Sequence, residues 1–77
     1  MRDRNGVLLN IGDWVACFPY REGPLELRRV TGHRMDIDYI VVNNGDTWHY
    51  TALEKVPNNR KARLVKLFLL KLEESYE

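Results

Sequence analysis

The sequence predicts a mainly β protein, a small five-stranded antiparallel barrel with a C-terminal amphipathic α-helix, and three observations carry that prediction. Asn44-Gly45 lies between Tyr39-Ile40-Val41-Val42 and Thr47-Trp48-His49-Tyr50, two runs of β-branched and aromatic residues, which is the pattern of a tight hairpin. Further short apolar runs recur between residues 7 and 56 with turn formers between them, and closing such strands into a barrel removes their unpaired edges. Beyond residue 57 there is neither Gly nor Pro, and apolar residues return at helical spacing. The expected division is therefore a barrel over residues 1–56 and a helix over 57–77 packed on it.

The elements follow in order. Val7-Leu8-Leu9-Asn10-Ile11 leads into the turn dipeptide Gly12-Asp13 and then the strand Trp14-Val15-Ala16-Cys17-Phe18, which Pro19 ends. Alternation sends Val15 and Cys17 to one face, with Trp14, Ala16 and Phe18 on the other. Residues 20–26 are polar and rich in turn formers, so they read as a loop before a second strand around Leu27 to Thr31. Gly32 to Asp38 reads as the next connection.

For the hairpin, a two-residue type I′ loop at Asn44-Gly45 pairs Val42 with Thr47, Val41 with Trp48, Ile40 with His49 and Tyr39 with Tyr50. Tyr39, Val41, Trp48 and Tyr50 then share one face, and Ile40, Val42, Thr47 and His49 the other. Thr51 to Val56 reads as a turn feeding a closing strand, with Pro57 as its stop. Asn58 or Asn59 can cap the final helix. On that helix Ala62, Leu64, Val65, Phe68, Leu69, Leu72 and Tyr76 form one broad stripe, expected to dock on the barrel, while Leu67 and Leu70 fall toward the polar side. Those two leucines are either singly exposed residues or a seam for self-association or for a partner.

Composition narrows the class. The 77 residues suffice for one domain, with 44% hydrophobic and 30% charged residues. A single cysteine, Cys17, excludes an internal disulfide framework and fits a reducing compartment. With no long apolar run and a polar start, the chain is expected to be cytoplasmic and not membrane-bound. The net charge of +1 hides an asymmetry, because residues 1–54 hold six Lys or Arg against eight Asp or Glu and residues 55–77 hold six against three. Lys55 through Lys71 contains no acidic residue, so any nucleic-acid footprint belongs to the tail, although such a run is also the ordinary solvated face of a helix.

Arg2-Asp3-Arg4-Asn5-Gly6, followed by Leu9 and Gly12-Asp13-Trp14-Val15-Ala16, resembles the opening of small SH3-like barrel proteins, many of them phage-borne. Val30-Thr31-Gly32, Tyr39-Ile40-Val41-Val42 and Leu53-Glu54-Lys55-Val56 are similar in order and spacing to the remaining strands of KOW- and Tudor-like members. The resemblance covers residues 1–56 and implies a fold more than an activity, since this barrel hosts peptide binding, nucleic-acid binding and structural roles. The strand after Val30 lacks the compact basic follow-on of the KOW pattern.

Catalysis is not expected. There is no phosphate-binding glycine loop and no paired-histidine motif, and Cys17, His33 and His49 lie on separate elements, so neither a metal nor another cofactor is implied. Cys17, beside Val15, reads as a core thiol more naturally than as a nucleophile. Two binding readings remain. A protein-interaction module would use Trp14, Phe18 and Tyr20, with Trp48 or Tyr50, as an aromatic groove, together with Leu67 and Leu70 on the helix, unless these aromatics build the core or the seat of the helix. A nucleic-acid module would use Arg60, Lys61, Arg63, Lys66 and Lys71 on phosphate, extended by Arg28, Arg29 and Arg34. The slightly acidic body ranks it second.

Overall fold

The computed structural model describes residues 1–19, 24–34 and 38–75, apart from the side chains of 74 and 75. It contains strands β1 (Trp14–Cys17), β2 (Glu26–Arg34), β3 (Tyr39–Val42) and β4 (Thr47–His49), a 3-10 turn at Tyr50–Ala52, strand β5 (Leu53–Val56) and one α-helix, α1 (Arg60–Ser75). The five strands form one antiparallel sheet in the order β4-β3-β2-β1-β5. β4 and β5 end that order without pairing to each other, so hydrogen bonding does not close the sheet.

Curvature comes from β2. Its first half pairs with β1 and its second half with β3, and the register slips between Val30 and Gly32, leaving Thr31 as the extra residue of a bulge. The strand thus runs on through Gly32-His33-Arg34, where the sequence suggested a connection. A Cβ at Gly32 would meet the Val41 Cβ at 3.7 Å, an ordinary packing contact, so the bend does not depend on glycine there.

The hairpin exists, but its loop has three residues. Gly45 N–H donates to the Val42 carbonyl (2.9 Å) and Val42 N–H to the Asp46 carbonyl (3.0 Å), while Gly45 alone takes a positive φ (+85°). A type I turn with a glycine bulge replaces the type I′ turn. Asn44 favours it by bonding forward to Asp46, accepting from its N–H (3.1 Å) and donating Nδ2–H to its carboxylate (2.9 Å). The one-residue difference pairs Ile40 with Trp48 and Tyr39 with His49, so Trp48 and His49 exchange the faces expected of them.

Two apolar clusters lie on opposite faces of β1. Val15 and Cys17 join Leu9, Val30, Ile40, Val42 and Leu53, with Met1 and Trp48 packed at the edge. Ala16 faces the other way and meets Val56 and Leu70, with Trp14, Phe18, Leu25, Leu27 and Leu67 around them. The alternation expected for β1 is therefore realised, and its outer face is the seat of α1.

The helix begins where Asn59 Oδ1 accepts the Ala62 N–H (3.1 Å), so Asn59 is the cap. Its docking face corrects the expectation. Leu70 is 5% exposed and Leu67 half-buried, whereas Leu64, Val65, Phe68, Leu69 and Leu72 face outward. The reason lies in Arg63 and Lys66, which a polarity pattern assigns to water. The Arg63 guanidinium lies over the Trp14 ring at 4.3 Å, and Lys66 Nζ stands 3.8 Å from Glu54 Oε2, so both side chains lie along the sheet.

The N-terminal segment is tied down by one buried carboxylate. Asp3 Oδ1 accepts the N–H groups of Asn5 and Val7 (2.9 Å each), and Oδ2 accepts the Lys55 N–H of β5 (2.7 Å). Asp3→Ala leaves these donors without that acceptor, and a loss of about 2–4 kcal/mol is expected in urea denaturation. The helix orientation has its own check. Leu70→Ala should cost about 2–3 kcal/mol, while Leu69→Ala at low protein concentration should stay within about 0.5 kcal/mol of wild type.

Candidate functional site

Half of the ten exposed large hydrophobic residues among those described lie on the outer face of α1. Leu64, Phe68 and Leu72 recur every four residues, and Val65 and Leu69 lie beside them, so all five share one side of the helix. Their exposure runs from 39% at Leu72 to 62% at Phe68. Contiguous apolar surface of this kind is uncommon on a soluble protein unless something covers it. The helix is apolar on two sides because the sheet takes only the narrow Leu67–Leu70 flank.

The charges of α1 run against its dipole. The first turn holds Arg60 and Lys61 and no acidic residue, and the final turn holds Glu73 and Glu74 in sequence and no basic residue. A helix alone is better served by the opposite arrangement, each such charge costing a few tenths of a kcal/mol to about 1 kcal/mol.

The aromatic residues singled out from the sequence are largely used within the chain. Trp14 is half-buried beneath α1, with the guanidinium groups of Arg29 (5.3 Å) and Arg63 (4.3 Å) over its ring. Phe18 packs in the same cluster under the guanidinium of Arg4 (4.5 Å). Trp48 packs against the first core. Leu67 and Leu70, read as a possible seam between molecules, face the sheet of their own chain. Tyr20 lies outside the described residues. The sequence set Tyr39 and Tyr50 on one face and His49 on the other, whereas the His49 ring meets Tyr39 edge-on at 5.4 Å and Tyr50 at 4.6 Å. The slipped register assembles this group, and His49 is further held by Nδ1 against Thr51 Oγ1 (2.7 Å). Nearby, Met1, Arg2, His33, Asp38, Ile40 and Tyr50 line an open cleft of about 340 Å³.

The basic residues do not gather into one patch. Arg28 pairs with Glu26 (3.1 Å), Arg29 reaches the Gly12 carbonyl (3.4 Å) as well as Trp14, and Arg63 donates to the Asn58 carbonyl (3.1 Å). Lys66 faces Glu54, and Arg60 and Lys61 are exposed on the first helical turn. Arg34 is exposed at the far end of β2. Among the described residues no three His, Cys, Asp or Glu side chains are grouped to hold a metal ion. Nor is any helix among them long and apolar enough to cross a membrane.

Cys17 is fully buried in the first core, as its position beside Val15 suggested. Burial, with the Glu26 carboxylate adding to it, pushes its thiol from 9.0 up to about 12. Thiol reagents should therefore label Cys17 only as fast as the chain opens, so the labelling rate in mild urea should follow unfolding. The sign with pH follows from linkage. The contribution of this thiol to stability is complete below pH 9, where it is protonated in both states, and falls as pH rises toward 12, because the unfolded chain ionises first. Wild type should thus lose more stability than Cys17→Ala across that range in parallel denaturation curves.

No family model, curated protein or solved structure matches this chain.

Proposed function

We propose that this chain is a non-enzymatic binding and assembly module, an SH3-like barrel whose appended helix presents an apolar face to a protein partner. The observation that carries the reading is the outward stripe Leu64, Val65, Phe68, Leu69 and Leu72 on a helix already anchored through its other side. Anchoring removes much of the flexibility that an interaction helix otherwise loses on binding, which favours association. The barrel assignment draws support from β2, a bent strand shared by two three-stranded halves, and from the return of β5 to pair with β1. The non-enzymatic reading draws support from Cys17, a nucleophile type held protonated and out of reach of solvent.

Nucleic acid is the weaker reading, since Arg28, Arg29, Arg63 and Lys66 are engaged with groups of the chain itself. A photoreactive phenylalanine analogue at position 68 should crosslink in cells to protein, whereas the same analogue at exposed Ile11, on the N-terminal segment, should not. Fluorescence anisotropy with short DNA and RNA should remain flat at both low and high salt. A steeply salt-dependent rise, with no protein adduct at position 68, would replace this reading with phosphate binding.

A further inference from the structure

We infer that the partner of the outer α1 face is a second copy of this chain, joined helix to helix in antiparallel orientation; this rests on the binding role proposed for that face. Two features select this occupant. The first is the symmetry of the stripe. Leu64 and Leu72 stand four residues either side of Phe68, so a two-fold axis beside Phe68 brings each Leu64 against the other copy's Leu72 and the two phenylalanines together. The central row Leu64-Phe68-Leu72 reads alike in both directions and is thus self-complementary, as a two-fold interface requires, with Val65 and Leu69 flanking it.

The second is charge. Antiparallel pairing sets the end bearing Arg60 and Lys61 against the end bearing Glu73 and Glu74 of the other copy, at both ends of the seam. The distribution that opposes the dipole of a single helix becomes complementary between two. Parallel pairing would set like charges side by side. The area is adequate: five partly exposed Leu, Val and Phe side chains offer on the order of 100 Å² each, so a pair buries roughly 1,000 Å², at the lower end of specific interfaces. Association is therefore expected to be reversible and concentration-dependent.

Sedimentation equilibrium of the full chain, from low micromolar to near-millimolar concentration, tests the inference. Wild type should pass from monomer to dimer. Phe68→Glu, and independently Leu69→Gln, should remain monomeric with an unchanged circular dichroism spectrum. Reversing one end, Arg60→Glu with Lys61→Glu, places acids at the helix N-terminus and should favour the helix itself, yet should weaken the dimer about tenfold by setting acid against acid. Adding Glu73→Lys and Glu74→Lys should restore it.

A wild type that stays monomeric overturns self-pairing. The binding role then survives only if position 68 still crosslinks to a different protein. Dimers that persist in both Phe68→Glu and Leu69→Gln place the seam elsewhere and overturn the inference. So does a one-end reversal that leaves the dimer unweakened, or a full reversal that fails to restore it. A monomer that instead sediments with phosphatidylserine vesicles overturns self-pairing and the protein-partner role together.

Discussion

Strand β1 is used on all four of its sides, and the rest of the molecule is arranged around it. Its backbone pairs with β2 along one edge and β5 along the other, Val15 and Cys17 fill one core, and Ala16, with Trp14 and Phe18, lies beneath the helix. Burial on both faces explains why Trp14-Val15-Ala16-Cys17-Phe18 is an unbroken apolar run. Ala16 is completely buried and small, which lets Leu70 approach the sheet. A larger side chain there would push against the helix from below, so the seat of α1 is decided within the strand as much as on the helix.

Much of this was legible in the residues themselves. The β1 alternation, the closing strand before Pro57, the hairpin and a helix capped by an asparagine all follow from local chemistry. The failures share a physical cause, which is that tertiary geometry chose between locally equivalent options. Asn-Gly supports both two- and three-residue hairpin loops, and the forward bonds of Asn44 to Asp46 accompany the longer one, moving Trp48 and His49 across the sheet. Arg63 and Lys66 counted as solvent residues until Trp14 and Glu54 were placed beside them, and that reversed which side of the helix is inside. That His49 joins Tyr39 and Tyr50 was invisible for the same reason, since it depends on the register.

The helix joins these threads. Because the sheet holds it by a narrow flank reinforced by long basic side chains, its widest apolar side is left outward, and its terminal charges are set against its own dipole. Each feature is unfavourable for an isolated molecule and favourable for an associated one.

The anchoring of Asp3 to the Lys55 amide spans 52 residues of sequence. A contact of such long sequence separation closes a large loop, and its entropic cost is borne together with the strand pairings around it. Without β5 the Asp3 carboxylate would lose that backbone donor and keep only its local bonds to Asn5 and Val7. The link therefore couples the turn at Asp3 to the edge strand of the sheet, so that loosening either one loosens the other.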